Sequence, residues 1–181
     1  GRLYESTPHH NAVFVGLDKY NKPRYANLRG VGTDFVGDAS GSDKRFSFSI
    51  PAPDSDTIHL FESAIDLLSY ATLVKMNGGN WNREHLVSLA GVYKPKEELQ
   101  ESSMPLALKR YLSEHPGIRK ITLRLDNDAA GGRAAKALIS MLSGRYEVSV
   151  QPPLCGKDYN DFLCMRLGLP TTHRKGKTAE R

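Results

Sequence analysis

From Thr57 onward the sequence alternates short apolar runs with helical stretches, and this rhythm constrains the fold more than any other feature. Ile58-His59-Leu60-Phe61, His85 to Ala90, Ile118 to Leu125 and Tyr146 to Val150 read as strands, while 64–75, Ser103 to Glu114, 129–143 and Asp158 to Leu167 read as helices. Four strand–helix units in succession predict an α/β fold, a mainly parallel four-stranded sheet with helices on both faces. The helix over 64–75 is apolar on more than one side and so is expected to be well buried. Asn77-Gly78-Gly79-Asn80 ends it, and His115-Pro116-Gly117 ends the next.

The chain before this region has a different texture. Ala12 to Leu17 and Arg24 to Arg29 read as strands joined by the turn residues Asp18 to Pro23, and Arg45-Phe46-Ser47-Phe48-Ser49-Ile50 alternates as a third strand. Residues 12–50 therefore predict a small antiparallel β meander, and Pro51-Ala52-Pro53 marks a boundary. The expected organisation is a β extension over 1–56, an α/β domain over 57–168 and a basic, disordered tail over 169–181. No apolar run is long enough to cross a membrane. The chain starts with Gly rather than Met and shows no signal peptide, so we expect a cytoplasmic piece of a longer protein, with further domains upstream. Cys155 and Cys164, nine apart and without clustered histidines, do not make a zinc module and are expected to be free thiols.

The chemistry concentrates in Leu125-Asp126-Asn127-Asp128-Ala129-Ala130-Gly131. On a strand, side chains two apart face the same way, so Asp126 and Asp128 are expected to project together where the strand ends. In an open α/β sheet that edge is where ligands bind. Paired carboxylates repel unless a cation neutralises them, and Mg²⁺, with Mn²⁺ as its substitute, suits such hard oxygen donors. The competing structural reading has Asp128 capping the next helix, which leaves Asp126 without a role. Two more carboxylate groups follow strands, Glu62-Ser63-Ala64-Ile65-Asp66 and Lys157-Asp158-Tyr159-Asn160-Asp161. A parallel sheet brings all three to one edge.

These motifs, in this order, resemble the Toprim domain, the metal-binding fold of bacterial primases, topoisomerases and some nucleases. Phe61-Glu62-Ser63-Ala64-Ile65-Asp66 is similar to the family's first motif, with Ser63 where many members have Gly. Asp126-Asn127-Asp128-Ala129-Ala130-Gly131 is similar to its second, Asp-x-Asp-x-x-Gly. Leu125 to Asp128 and Lys157 to Asp161 look most like the bacterial primase branch. Together with Arg24 to Arg29 and Gly41-Ser42-Asp43-Lys44-Arg45, they are similar to primase-like Toprim proteins of bacterial mobile elements. The resemblance covers about 57–167 and weakens back to 12. It implies a Toprim-like Rossmannoid fold, Glu62 as general acid/base or metal ligand, and Asp126 and Asp128 as ligands of Mg²⁺. Asp158 or Asp161 would hold a second ion, and Asp66 either orders Glu62 or binds through water. Arg124, Arg133 and Lys157 flank the motifs and, with Lys44 and Arg45, are the candidate phosphate contacts.

Charge agrees once the site is set apart. Residues 57–168 carry fourteen Lys/Arg against twelve Asp/Glu, and without the six motif carboxylates the balance is fourteen to six. An acidic crevice in a basic surround suits a phosphate polymer. The expected function is Mg²⁺-dependent phosphoryl or nucleotidyl transfer on nucleic acid, with single-stranded DNA and nucleotides as partners. The alternatives are a Toprim nuclease and a module that holds metal and DNA without chemistry. A haloacid-dehalogenase-type phosphatase also begins with Asp-x-Asp, but it needs that motif on an early strand and would leave Glu62 idle.

Overall fold

The structure is a computed structural model and describes residues 1–91, 93, 95 and 103–171. Two sheets form. The first is the antiparallel meander β1 (Leu3–Glu5), β2 (Ala12–Leu17), β3 (Pro23–Arg29) and β4 (Val36–Asp38), paired in that order. The second contains β5 (Ser49–Ile50), β6 (Thr57–Phe61), β7 (His85–Ser88), β8 (Lys120–Leu123) and β9 (Glu147–Val150), in the order β5-β7-β6-β8-β9. The four strands expected in parallel are parallel, and β5 joins them antiparallel through Ser49↔Val87 and Ile50↔Leu86.

Period-two alternation sorts the core into two layers. Ile58 and Leu60 of β6 face a cluster with Val87, Ile121 and Leu123 under helices α2 (Leu106–Glu114) and α3 (Ala129–Leu142). Phe61 faces the opposite cluster, which contains Leu67 and Leu73 of α1 (Ala64–Met76), Tyr159 of α4 (Tyr159–Arg166), and Phe14 and Phe48 from the N-terminal part. The meander therefore packs onto the α/β sheet through aromatic side chains, with Phe14 and Phe48 edge to face at 5.8 Å.

Three expectations are corrected. The segment 45–50 is not one strand: Asp43 accepts the Arg45 N–H (3.0 Å), which turns Lys44–Phe46 into a 3₁₀ turn and leaves only Ser49–Ile50 extended. A local side-chain bond of this kind competes directly with a ladder. Helix α2 starts after Pro105 rather than at Ser103, since the residue before a proline avoids the helical region. Of the tail expected to be disordered, 169–171 is placed, with the Leu169 N–H on the Cys164 carbonyl at 2.8 Å, and 172–181 lies outside the described residues. Among the described residues no helix is long and apolar enough to cross a membrane.

The Pro51–Asp56 junction is pinned by His85, which is 1% exposed. Its Nδ1 accepts the Ala52 N–H at 3.1 Å, which fixes the proton on Nε2, and Nε2 donates to the Ser55 carbonyl at 3.2 Å. Burial, and His115 facing it, push the imidazole down to about 4 from its ordinary 6.5. A base held below its unfolded value binds fewer protons folded than unfolded, so this stabilisation is present above about pH 6.5 and is lost as pH falls toward 4. An NMR titration should show His85 neutral down to about pH 4. A midpoint at the ordinary value would refute the arrangement.

Candidate active site

Strand order reverses direction between β6 and β8. The chain leaves β6 toward β7 on one side and leaves β8 toward β9 on the other. The loops diverge there and leave a crevice outside the carboxyl ends of the strands. Glu62 and Asp126 stand on its two sides, joined by the Asp126 N–H donating to Glu62 Oε1 at 3.3 Å. Helices α1, α3 and α4 all begin at this edge, with Ser63, Asp128 and Asp158 as their N-caps. Three positive helix ends thus moderate a concentration of negative charge.

Each motif residue has a local reason for its place. Ser63 accepts the Asp66 N–H (3.2 Å) and donates to Asp66 Oδ2 (2.5 Å), a reciprocal cap that a glycine there could not make. Asp128 Oδ1 accepts the Gly131 N–H at 2.8 Å. Its other oxygen, Oδ2, lies 3.5 Å from Lys157 Nζ, which is also 3.2 Å from Asp126 Oδ2. The capping and ligand readings of Asp128 are thus compatible. Both aspartates lie beyond β8, so loop geometry rather than strand alternation turns them toward one ammonium. Gly131 is required sterically, because a Cβ there would stand 2.1 Å from the Asp126 carbonyl oxygen. The Asn127 N–H donates to the Lys157 carbonyl at 2.7 Å and ties the second and third motif loops together.

The electrostatics follow from burial. Glu62, 5% exposed, is pushed up to about 7 by burial and then by the negative charge of Asp126. Asp66 is pushed up to about 6 by burial, with Asp158 and Asp126 adding to it. Burial also raises Asp126, against the pull of Lys157. Asp128 is held low, chiefly by the Gly131 N–H. A carboxyl that ionises near neutrality can exchange protons at working pH.

Of these carboxylates all but Asp128 line a cleft of about 420 Å³ whose opposite wall belongs to the N-terminal meander, from Arg29 to Val36. Glu62, Asp66, Asp126, Lys157 and Asp158 all reach it. The other expected site residues lie elsewhere or are already engaged. Asp161, 2% exposed, accepts the Lys157 N–H at 3.3 Å behind the loop. Both Asp66 oxygens are engaged, the second by the Asn160 N–H at 3.4 Å. Arg124 turns away: its guanidinium lies over Tyr70 at 4.1 Å and donates to His59 Nδ1, Tyr159 Oη and Gln151 Oε1. Arg45 forks onto Asp43. Lys44 pairs with Asp38 at 3.3 Å and lines an adjoining pocket of about 280 Å³. Arg133 is exposed in the first turns of α3. Arg29 was missed from the sequence: it lines the cleft, and among the described residues its Nε is buried without a hydrogen-bond partner.

The donor set suits a hard divalent cation. It offers several carboxylate oxygens, burial and then mutual repulsion raise the proton affinity of Glu62 and Asp126, and an ammonium already lies between Asp126 and Asp128. Among the described residues no three His, Cys, Asp or Glu side chains converge as a complete metal cage, so any ion here would draw further ligands from water or phosphate, as Mg²⁺ usually does.

A family model described as Toprim-like matches residues 59–163. One described as a protein of unknown function (DUF3991) matches residues 1–54. A 65 kDa protein of Zymomonas mobilis is 27% identical over 186 residues, covering 94% of this chain and 29% of its own length, so the chain spans under a third of that relative. Among solved structures, the primase fragment of the bacteriophage T7 primase-helicase has a TM-score of 0.60 at 16% identity, over 92% of this chain and 61% of that one. A DNA primase domain from Pseudomonas aeruginosa gives 0.54 at 14% identity, over 91% and 52%. A primase catalytic domain bound to single-stranded DNA gives 0.53 at 15% identity, over 92% and 52%. At these identities the likeness is one of fold, and both the meander and the parallel sheet fall within it.

Proposed function

Because the chain belongs to the Toprim-like family, we propose that it is the Mg²⁺-dependent nucleotidyl-transfer domain of a larger primase-like protein, acting on single-stranded DNA with nucleotides. The observation that carries this reading is the meeting of Glu62 and Asp126 at the β6/β8 crevice, opposite a wall that contributes Arg29. Phosphoryl transfer asks a protein mainly for positioning and charge neutralisation. Glu62 takes the proton of an attacking hydroxyl or returns one to a leaving oxygen. Arg29 and Lys157 receive phosphate oxygens. Asp126, Asp128 and Asp158 would hold the cation, which when bound neutralises phosphate charge. Asp66 and Asp161, both engaged with backbone N–H groups, keep α1 and α4 in place.

The test is incubation of the full-length parent with single-stranded DNA, Mg²⁺ or Mn²⁺, and nucleotides. New short products support the reading, degradation replaces it with a nuclease, and no change leaves a binding module. Metal holding is tested separately by calorimetry with Mn²⁺ on the wild type and on Asp126→Asn/Asp128→Asn. Asn caps a helix about as well as Asp, so the variant should fold. Loss of outer-shell partners alone costs roughly tenfold to a hundredfold in metal affinity, and loss of two ligands should cost at least as much. Equal Mn²⁺ binding by both proteins would remove these residues from the metal site.

A further inference from the structure

The wall of the cleft facing the carboxylates has an aromatic lip. Phe35 sits on the β3–β4 connection and is 50% exposed, with Val31 at 71% and Val36 at 55% beside it. The connection is tightly built. The Gly30 N–H donates to the Phe35 carbonyl at 2.8 Å, and the Phe35 N–H donates to Thr33 Oγ1 at 3.4 Å. A Cβ on Gly30 would collide with Thr33 Oγ1 at 1.9 Å. A Cβ on Gly37 would stand 3.1 Å from the Phe35 ring, so the ring rests on the bare backbone of β4. Other aromatics of the chain serve the interior: Tyr25 is 3% and Tyr159 5% exposed, and Trp81 packs against the second core cluster.

A held but half-exposed aromatic at the mouth of a charged cleft is out of place in a surface that only faces water, and apolar patches rimmed by polar groups mark ligand sites. A second observation points to the same ligand. Among the described residues the Arg29 Nε is buried without a hydrogen-bond partner on this wall, which an anion held by the guanidinium would offset. A ligand with a flat apolar end and an anionic end satisfies both. The cleft, at about 420 Å³, lies within the usual size range of small-molecule sites, roughly 300–1,000 Å³.

We propose that Phe35 stacks the base of a free nucleoside triphosphate whose phosphates enter the cleft beside Arg29 and Lys157. This rests on the nucleotide-handling reading above and adds to it the residue that holds the base. Stacking on an aromatic face tolerates any base, so Phe35 would supply affinity without sequence choice.

The test is calorimetry on the full chain with Mg²⁺, titrating ATP, inorganic tripolyphosphate and a short single-stranded DNA oligomer into the wild type, Phe35→Ala and Phe35→Trp. ATP affinity should fall about tenfold in Phe35→Ala, recover in Phe35→Trp and quench the fluorescence of the new indole. Tripolyphosphate affinity should stay unchanged throughout. Unchanged ATP binding by Phe35→Ala overturns the inference, as does a parallel loss of tripolyphosphate, which would make Phe35 a loop-shaping residue. A loss confined to the oligomer overturns it in favour of a base on a strand. A wild type that binds neither ATP nor tripolyphosphate fails the proposed function first and this inference with it.

Discussion

Glu62→Gln should remove most of the turnover while yielding a protein more stable than the wild type at alkaline pH. The exchange keeps size and leaves an oxygen to accept the Asp126 N–H, so the crevice keeps its shape. It removes a motif carboxyl that burial and then Asp126 push up to about 7. As general acid or base, Glu62 should be worth about a hundredfold or more in rate. The stability effect has a defined sign. An acid whose folded pKa exceeds its ordinary value opposes folding once it ionises, so the penalty is absent below about pH 4.5 and complete above about 7. Melts at pH 8 should favour the variant by a few degrees, at about 2–4 °C per kcal/mol for a domain of this size, and melts at pH 4 should coincide. A fully active Glu62→Gln parent would sink the acid–base role. Metal affinity falling in step with turnover would recast Glu62 as a ligand.

Gly131→Ala should be among the most damaging single-methyl additions in the chain. The new Cβ would meet the Asp126 carbonyl oxygen at 2.1 Å and carbon at 2.9 Å, and these are backbone atoms that no rotamer change can move aside. Helix α3 must retreat from the loop that carries Asp126, which also strains the Asp128 cap on the Gly131 N–H. Overpacking of this kind costs about 3 kcal/mol, or roughly 6–12 °C in Tm. The neighbouring glycine is the control: a Cβ on Gly132 meets nothing within 4 Å. Gly132→Ala should therefore gain up to about 1 kcal/mol from helix propensity. Thermal melts of the two variants should move in opposite directions. Equal shifts would show that helix propensity, and not the contact with Asp126, decides the position.

The sequence was most informative where side-chain period and local chemistry act alone. The alternation of Ile58 and Leu60 against Phe61 states which face each residue covers, and the caps Ser63, Asp128 and Asp158 mark three helix starts at one edge. What depends on docking between distant segments was not legible. Nothing local shows that Phe14 and Phe48 seat the meander against Phe61 and Leu67, and only that seating brings Arg29 and Phe35 over the carboxylates. Gly30 and Gly37, on either side of Phe35, were the available hint. Arg124 was misplaced for a simpler reason. Leu123 and Leu125 face the α2/α3 side, so the residue between them must face His59 and Tyr159, away from the cleft. At Arg45 the guanidinium is paired with the neighbouring Asp43.

The two-residue strand β5 has a consequence for how such a chain can be inherited. It belongs by sequence to the N-terminal segment and by pairing to the α/β sheet, where it covers one side of β7 while Ser47 Oγ donates to the Ser88 carbonyl. A recombination event with its crossover at the junction before Thr57 would carry this border away and leave β7 as a bare edge, open to pairing with other chains. A foreign N-terminal segment would have to bring a matching extended pair, and an aromatic like Phe48 just ahead of it, to close the gap. The two halves are therefore expected to descend as a unit, and shuffling should be tolerated at the ends of the pair rather than between them.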